Sequence, residues 1–341
     1  MSEPVRRAIA TVMRGGQLTT DEAQAAMASV MEGEATQAQL AGLLLALRMR
    51  GETVDELTGF ARAMRERVVS VSAPDGAIDT CGTGGDGSRT FNISTASALL
   101  VAAAGVPVAK HGNRAMSSAT GSADVLEALG IAIDHGADSA ASALANDGFV
   151  FLFAPTYHPA MRHAGPVRRE LGVPTAFNLL GPITNPAGVR RQVVGVADPT
   201  AAAKVANVLF RLGSERALVV HGDGVDELPL DGSGIAYDVS RLGVRRRRVD
   251  SGALSLGVAS SAELRGGDAA ENAAIIEAVL RGETGPRRDV VLLNAGAALL
   301  AAGRVGRLRD GVVLAAATID GGRARVLLDR LRQARPAASA A

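Results

Sequence analysis

The chain has 341 residues, of which 47% are hydrophobic and 21% charged, and its formal net charge is +1. This length suffices for two domains, and the composition is that of an ordinary globular protein. The near-neutral charge gives no reason to expect non-specific binding to nucleic acid. The single cysteine, Cys81, excludes an intramolecular disulfide and a cysteine-based zinc site, which favours a reducing compartment.

The longest apolar runs lie at residues 98–109 and 290–302 and are interrupted by Gly, Pro or Asn. Each is shorter than the ~20 residues that a membrane-spanning helix requires. The first residues also lack the continuous apolar stretch of a secretory signal. We therefore expect a cytoplasmic protein without a membrane partner.

The first ~70 residues have the pattern of a small helical bundle. Thr19 with Glu22, and Thr53 with Glu56, match the capping box that begins many helices. Gly51 is placed to end one of these helices. Apolar side chains at helical spacing predict a buried stripe, formed by Leu40, Leu43, Leu44 and Leu47.

After Pro74, short apolar runs alternate with Ala-rich helical stretches, as in α/β proteins. The predicted strands are 106–109, 149–153, 192–196 and 217–221, and the predicted helices are 94–104, 122–129 and 199–212. We predict an α/β fold with a mostly parallel central sheet. A small N-terminal helical domain comprises residues 1–73 with about 159–186. The larger α/β domain comprises 74–158 with about 187–335, and residues 336–341 form a flexible tail.

The most informative segment is the glycine-rich stretch GTGGDGSRTFNIST at 82–95, which joins a predicted strand to a predicted helix. Clustered glycines allow successive backbone N–H groups to converge on an anion, and a helix N-terminus favours negative charge. Neither the Walker pattern nor the dinucleotide GxGxxG pattern fits. A simple tight turn is the alternative, but Asp86 within the loop could orient a cation, a ribose hydroxyl or the loop itself.

A second polar turn, KHGNRAMSSATGSADVLEALG at 110–130, follows another predicted strand. Lys110 could supply a mobile positive charge at a strand end, where sites in α/β sheets gather, although an isolated lysine is more often a surface charge. The acids Asp124 and Glu127 suit the start of the next helix. Neutral hydrogen-bonding groups are offered by Asn113, Ser117, Ser118 and Ser122.

Three further features carry charge. Asp226 and Glu227 follow a predicted strand and could hold Mg²⁺, or could form a solvated acidic loop. Arg168 could bind a carboxylate through two hydrogen bonds, whereas Arg169 could equally be a surface charge. The five histidines show no compact zinc-binding spacing. The run at 245–248, four arginines, is most simply a solvated face near a loop.

Taken together, these segments resemble anthranilate phosphoribosyltransferases. The resemblance rests on the two loops, on HPAMRHAGPVRRELG (158–172), on TAFNLLGPITNPAG (175–188) and on the pair Asp226 and Glu227. It spans nearly the whole chain. It implies a helical domain, a larger α/β domain, an active site in the cleft between them, and a homodimer formed through the helical domain. It also implies Mg²⁺ as cofactor and anthranilate and phosphoribosyl pyrophosphate as substrates.

The resemblance also assigns site residues. Those implied to bind phosphoribosyl pyrophosphate are Gly82, Gly85, Asp86, Thr90, Asn92, Ile93, Ser94, Thr95, Lys110, His111, Gly112, Asn113, Ser117, Ser118 and Ser122. Those implied to bind anthranilate are Gly82, His111, Asn113 and Arg168. Metal ligands are implied to be Ser94, Asp226 and Glu227. No residue is assigned as an acid or base, and Lys110 is expected to act electrostatically.

The implied reaction moves the 5-phosphoribosyl group from phosphoribosyl pyrophosphate to the amine of anthranilate, in tryptophan biosynthesis. Two alternatives stand beside it. A pyrimidine nucleoside phosphorylase of the same fold is disfavoured because KHGN and GSAD stand where that family has its own signature. A non-catalytic relative that binds nucleic acid is disfavoured by the near-neutral charge. The sequence leaves open any complex with anthranilate synthase.

Overall fold

The computed structural model describes residues 2–115, 120–222 and 224–334. The predicted site residues Ser117 and Ser118 and the predicted tail at 336–341 lie outside the described residues. Within the described ranges the chain forms fifteen α-helices and a seven-stranded sheet. The predicted architecture, a helical bundle followed by a larger α/β region with a mostly parallel sheet, is confirmed.

Four helices form the N-terminal bundle: α1 (Glu3–Met13), α2 (Thr20–Met31), α3 (Gln37–Arg50) and α4 (Val54–Arg65). Both predicted capping boxes form. The Thr19 hydroxyl accepts a hydrogen bond from the Glu22 N–H at 3.2 Å, and the Glu22 carboxylate accepts one from the Thr19 N–H at 2.9 Å. Thr53 and Glu56 repeat this arrangement at α4. The predicted leucine stripe of α3 is buried, at 2% exposure or less.

The sheet contains β1 (Ile78–Gly82), β2 (Val108–Gly112), β3 (Phe149–Phe153), β4 (Arg191–Gly195), β5 (Arg216–His221), β6 (Ile235–Ser240) and β7 (Gly243–Arg248). The strand order is β3-β2-β1-β4-β5-β6-β7. The first five strands in this order are parallel, and β6 and β7 add antiparallel pairs at one edge. The four strands that the sequence predicts are therefore confirmed, whereas β6 and β7 were not predicted.

The remaining helices are α5 (Ile93–Ala103), α6 (Ser122–Ala128), α7 (Ala137–Asp147), α8 (Ala154–Tyr157), α9 (Gly165–Leu171), α10 (Ala176–Leu180), α11 (Pro199–Arg211), α12 (Ala269–Leu280), α13 (Pro286–Ala301), α14 (Leu308–Asp320) and α15 (Arg323–Gln333). Short 3-10 turns lie at Pro159–His163, Gly181–Ile183, Gly252–Leu254 and Ser261–Leu264. Among the described residues, no helix combines the length and the apolar character needed to traverse a bilayer.

Apolar cores cover both faces of the sheet. On one face, Ile78 and Val193 pack into a core with α5 and α12 to α15. On the other face, Val194 and Val219 share a core with α11 and with the N-terminal bundle. The short helices α9 and α10 contribute to this second core, so the segment at 159–186 packs with the bundle as well. Burial on both faces explains why these strands read as continuous apolar runs.

The strand order places a topological switch point between β1 and β4. From β1 the chain continues through α5 to β2 and β3 on one side, and it then crosses to β4 on the other side of β1. Ligands in open α/β sheets bind outside the carboxyl ends of the strands at such a point. Both predicted loops and the acidic pair follow the carboxyl ends of β1, β2 and β5.

Candidate functional site

The glycine-rich loop begins as a continuation of β1. The Thr83 N–H donates to the Gly195 carbonyl at 2.9 Å, so the loop leaves the sheet beside the end of β4. Gly84, Gly85 and Gly87 then adopt φ values of 62°, 73° and 71°. Such positive φ values strain residues that carry a Cβ atom, which explains the glycine repeat.

The acidic pair lies directly against this loop. Asp226 Oδ2 accepts a hydrogen bond from the Gly84 N–H at 2.9 Å. A Cβ atom at Gly82 or at Gly195 would collide with Asp226, with its carboxylate and its backbone respectively. The Asp226 loop can therefore approach β1 and β4 only because glycine stands at the ends of these two strands. The sequence did not indicate this packing role for Gly82 and Gly195.

Three carboxylates converge at this point. One oxygen atom each from Asp86, Asp226 and Glu227 lie within 4.8 Å of one another. Burial, together with the charge of Asp86, raises the pKa of Asp226. Burial and the charges of Asp226 and Asp86 raise the pKa of Glu227 well above its usual value. Buried like charges repel one another, so this cluster favours either bound protons or a cation.

Asp86 also organises the loop that carries it. Its carboxylate accepts hydrogen bonds from the Ser88 N–H at 3.1 Å and from the Ser88 hydroxyl at 2.7 Å. The Ser88 hydroxyl in turn lies 3.2 Å from that of Thr90. Among the described residues, the N–H groups of Gly85, Asp86 and Gly87 form no hydrogen bond within the chain. Two of the functions considered for Asp86, orienting the loop and facing a cation, are thus compatible.

Lys110 corrects one expectation, because its side chain is not a mobile charge. It is 1% exposed, and its Nζ donates to the Thr80 carbonyl at 2.5 Å and to Ser94 Oγ at 3.4 Å. Burial lowers the pKa of Lys110, and the nearby charges of Asp79, Glu227 and Asp226 oppose this effect. The sequence pattern missed this because the anchoring groups come from β1 and α5, which lie at a distance in the sequence.

Asp79 is a site residue that the sequence analysis overlooked. Its fully buried carboxylate accepts hydrogen bonds from the His111 N–H at 3.1 Å and from the Asn185 side chain at 2.7 Å. Asn185 also donates to the Ala109 carbonyl at 2.8 Å. Burial raises the pKa of Asp79, whereas the charge of Lys110 opposes the increase. A charged residue inside the predicted strand β1 was the signal that could have found it.

Residues 90–95 connect the loop to α5. Asn92 is the N-cap residue of α5, but its side chain bonds elsewhere, to the Thr120 carbonyl at 3.2 Å and to Asn272 at 2.9 Å. Ser94 is half-buried beside Lys110, and Ile93 is buried in the core. The Thr95 hydroxyl is buried without a hydrogen-bond partner among the described residues.

The second loop leaves β2 at Gly112, where a Cβ atom would lie 2.6 Å from Ser122 Oγ. Asn113 is exposed, and its side chain accepts a hydrogen bond from the Arg114 N–H at 2.8 Å. Asp124 accepts from the Gly121 N–H at 2.9 Å and thereby caps α6, the position expected for an acid. The structure therefore places Gly112, Asn113 and Ser122 around the carboxyl end of β2, with Ser122 at the start of α6.

Two histidines form a buried pair at the end of β2. The rings of His111 and His158 lie 5.1 Å apart, and His111 Nδ1 lies 3.1 Å from the Gly181 carbonyl. Burial, reinforced by the charge of His158, lowers the pKa of His111 to about 3, and burial lowers that of His158 to about 4. Both rings are thus neutral near pH 7. Their Nε2 atoms are buried without a partner among the described residues, and His158 was not predicted as a site residue.

Arg168 lies on α9, with its guanidinium carbon 5.3 Å from the centre of the Phe177 ring on α10. Burial lowers the pKa of this guanidinium, and no carboxylate in the described part of the chain offsets the effect. Arg169, the neighbouring arginine, is exposed. Arg168 is therefore a stacked, partly desolvated cation, whereas Arg169 matches the surface charge that was the alternative.

Asn294 on α13 fixes the backbone immediately after the acidic pair. Its side chain accepts from the Leu228 N–H and donates to the Leu228 carbonyl, each at 3.0 Å. A small cavity of about 20 Å³ brings Asn294 together with all three predicted metal ligands, Ser94, Asp226 and Glu227. A larger cavity of about 180 Å³ shares Glu227 with the first and is lined by both polar residues, among them Thr90 and Asp231, and apolar residues. Both cavities lie within the α/β region.

Comparison with known proteins agrees with this architecture. The helical bundle domain of the glycosyl transferase family matches residues 6–68, and the a/b domain of that family matches residues 74–325. An anthranilate phosphoribosyltransferase from Symbiobacterium thermophilum is 54% identical over 325 residues, which cover 94% of this chain and 95% of that protein.

Solved structures give the same result. A crystal structure of anthranilate phosphoribosyltransferase from Thermus thermophilus has a TM-score of 0.91 at 45% identity and covers 97% of this chain and 99% of that one. The Saccharomyces cerevisiae enzyme in complex with PRPP and Mg has a TM-score of 0.88 at 24% identity, covering 97% and 98%, and shows the shared fold.

The fold and the loops at the switch point define a glycosyl transferase with a helical bundle domain and an a/b domain. Within this class, the 54% identity to an anthranilate phosphoribosyltransferase over 94% of the chain identifies the family. The chain belongs to the anthranilate phosphoribosyltransferase family, whose members are pentosyltransferases.

Proposed function

We propose that the chain binds phosphoribosyl pyrophosphate and anthranilate at the switch point and joins them in the reaction of its family, within tryptophan biosynthesis. The observation that carries the proposal is the meeting of the glycine-rich loop with Asp226 and Glu227. Loop N–H groups that have no partner among the described residues and a cation-favouring acid cluster then lie in adjoining segments, as a diphosphate with a divalent metal requires.

The proposed diphosphate ligands are the backbone N–H groups of the glycine-rich loop that form no hydrogen bond with other described residues. The N–H groups of Gly85, Asp86 and Gly87 qualify within the described residues, whereas that of Gly84 is already bonded to Asp226. The helix α5 begins directly behind the loop and adds the positive end of its dipole. The implied roles of Gly82, Thr90, Asn92, Thr95, Gly112, Asn113, Ser117, Ser118 and Ser122 remain proposals.

Mg²⁺ is the proposed cofactor, and the residues present fit it. Carboxylates of Asp226 and Glu227 and the hydroxyl of Ser94 are hard oxygen ligands, and they line one cavity. The Glu227 Oε2 atom is buried without a partner in the described part of the chain, which is costly for a carboxylate. When bound, Mg²⁺ would neutralise part of the charge on the diphosphate. Asp86 joins this proposed site through its distance to the pair.

In the proposed reaction the anthranilate nitrogen bonds to C1 of the ribose while the bond from C1 to the diphosphate oxygen breaks. The diphosphate leaves with the bonding electron pair, and the nitrogen then releases a proton to solvent. Lys110, held by Thr80 and Ser94, keeps a cation at a fixed place near the leaving group. A preorganised charge stabilises the transition state without reorganising during the step. Alignment of the two substrates supplies the remainder of the rate enhancement.

His111, Arg168, Gly82 and Asn113 are the proposed anthranilate ligands, and His158 joins them because its ring lies beside that of His111. A neutral imidazole whose Nδ1 donates to a carbonyl presents its Nε2 as an acceptor. The Nε2 atom of His111, which has no partner among the described residues, therefore suits an aromatic amine. Arg168, without a carboxylate partner of its own in the described residues, suits the carboxylate of the same molecule.

The test is a fluorescence assay that follows the loss of anthranilate in the presence of phosphoribosyl pyrophosphate, with Mg²⁺ and with excess chelator. We expect turnover that depends on both substrates and on Mg²⁺. Thymidine with phosphate, the substrates of the nucleoside phosphorylase alternative, provides the comparison. Turnover of thymidine without turnover of anthranilate would reject the proposal.

A homodimer through the helical domain (residues 1–73 with about 159–186) is also proposed. Its support is an exposed apolar group on α1 and α3, where Met13 is 74% and Met49 88% exposed, with Leu45 one turn before Met49. Light scattering should give twice the chain mass, and Met49→Asp should lower it to one chain. Val313→Asp, at a site on α14 that is 63% exposed, is the control that should leave the mass unchanged. The proposed compartment is the cytoplasm, which the lone Cys81 supports.

A further inference from the structure

The segment between residues 264 and 272, at the start of α12, touches both substrate loops. Its first half pairs with the glycine-rich loop as a short antiparallel ladder. The Phe91 N–H donates to the Leu264 carbonyl and the Gly266 N–H donates to the Arg89 carbonyl, each at 3.0 Å, around a bridge between Thr90 and Arg265. This segment contains none of the proposed substrate or metal ligands.

Its second half closes a ring of hydrogen bonds through Asn272. The Asn272 amide donates to Asn92 Oδ1 at 2.9 Å and accepts from the Gly267 N–H at 2.8 Å. Asn92 donates to the Thr120 carbonyl at 3.2 Å, and the Thr120 hydroxyl donates to the Gly267 carbonyl at 2.9 Å. The ring thus joins the first loop, the second loop and α12.

The chemistry of this position requires an amide. Asn272 is 2% exposed and uses both its acceptor and its donor. An Asp at this position would lack the donor, and an aliphatic residue would lack both groups, leaving buried polar atoms unsatisfied. Space is restricted as well, because a Cβ atom at Gly266 would collide with the Asn272 side chain and lie 2.7 Å from the Phe91 Cα.

We propose that Asn272 is a positioning residue, which holds the two loops at the spacing that one phosphoribosyl pyrophosphate molecule requires. It acts through Asn92 and Thr120. The inference rests on the proposed function, because it takes both loops as ligands of the same substrate. Asn272 lies 180 residues from Asn92 in the chain, and only the fold connects them.

The first experiment measures amide hydrogen exchange of the full chain without substrates, so it does not depend on activity. In Asn272→Ala the hydrogen bonds to Asn92 and to the Gly267 N–H are lost, and these are the two residues that hold Thr120. We therefore expect exchange about tenfold faster at 89–95 and at 120–123, as for the loss of about one net hydrogen bond. Thr318→Val is the control, because it removes buried hydrogen bonds within α14 and to Arg323 of α15, none of which involves either loop. Faster exchange confined to 264–275, or equal changes in the control, would overturn the inference.

The second experiment uses the enzyme assay. Asn272→Ala should raise the KM for phosphoribosyl pyrophosphate about tenfold and alter kcat less, with Asn207→Ala on the surface of α11 as the unaffected amide control. Asn92→Ala combined with Asn272→Ala should raise the KM no further than Asn92→Ala alone, because one residue acts through the other. Additive effects would overturn the inference. A wild-type chain without turnover would instead reject the proposed function, and the exchange data would still decide whether Asn272 couples the loops.

Discussion

The Gly84 N–H donates a 2.9 Å hydrogen bond to Asp226 Oδ2, which ties a loop of β1 to a loop of β5 across the intervening strand β4. The close approach depends on Gly195 at the end of β4, where any Cβ atom would overlap the Asp226 backbone. The proposed diphosphate ligands and the proposed metal ligands thus form one packed unit, because each restrains the position of the other.

Gly195→Ala tests this unit. The added methyl group must push the Asp226 backbone away, so we expect Mg²⁺-dependent turnover to fall at least about a hundredfold, as for a misplacement of about 1 Å. Gly136→Ala is the matched control, because a Cβ atom there meets nothing within 4 Å. Steady-state kinetics across a Mg²⁺ titration would measure both variants. Full activity of Gly195→Ala would show that the packing is not required.

Asp226→Asn combined with Glu227→Gln removes the charges of the proposed metal ligands. We expect loss of Mg²⁺-dependent turnover, with Glu283→Gln as an exposed control. The same double variant should be more stable than the wild type without metal. Folded-state pKa values that are raised make ionisation unfavourable to folding, so the wild type loses stability as pH rises above the usual carboxylate range.

Without metal, the double variant should therefore have a higher thermal midpoint than the wild type. This difference in midpoint should be larger at pH 8 than at pH 5. An equal or lower midpoint at pH 8 would mean that the two carboxylates do not repel each other in the folded chain. Retained activity would remove the pair from the metal site.

Arg168→Ala should raise the KM for anthranilate far more than the KM for phosphoribosyl pyrophosphate. Loss of a charge-assisted pair of hydrogen bonds is worth about 2 kcal/mol, or roughly thirtyfold in affinity. Arg169→Ala, the exposed neighbour, should change neither constant more than about twofold. Initial rates with each substrate varied in turn would decide. An unchanged KM for anthranilate would reject the assignment.

His111 predicts a dependence of stability on pH. Its folded-state pKa of about 3 lies below the ordinary value of 6.5, so the unfolded chain binds the proton more readily. The contribution of the neutral His111 ring to the free energy of unfolding is fully present above pH 6.5 and is lost as the pH falls toward 3. Between pH 7 and 5 the loss is about 2 kcal/mol for this ring.

Urea unfolding of His111→Gln at both pH values measures this loss, because glutamine does not titrate. The decrease in the free energy of unfolding between pH 7 and 5 should be smaller by about 2 kcal/mol than in the wild type. An identical decrease in both proteins would show that the His111 ring is accessible to protons in the folded state.

The sequence predicted what local patterns encode. Capping boxes at Thr19 and Thr53 and four buried strands depend on spacing within a few residues, and all are present. The resemblance supplied the family. Contacts between distant segments could not be read in this way. The anchoring of Lys110 by Thr80 and the link from Asn272 to Asn92 involve residues 30 and 180 positions apart. β7 was missed because four consecutive arginines lack the alternation of a half-buried strand.

β7 has a consequence for self-association. It is an outermost strand of the sheet, and all four of its arginines are exposed. A row of positive charges on an outermost strand repels the same row on another molecule and so discourages strand-to-strand stacking between copies. The charge of β7 therefore opposes polymerisation through this edge of the sheet, so that contacts between like chains are favoured at other surfaces.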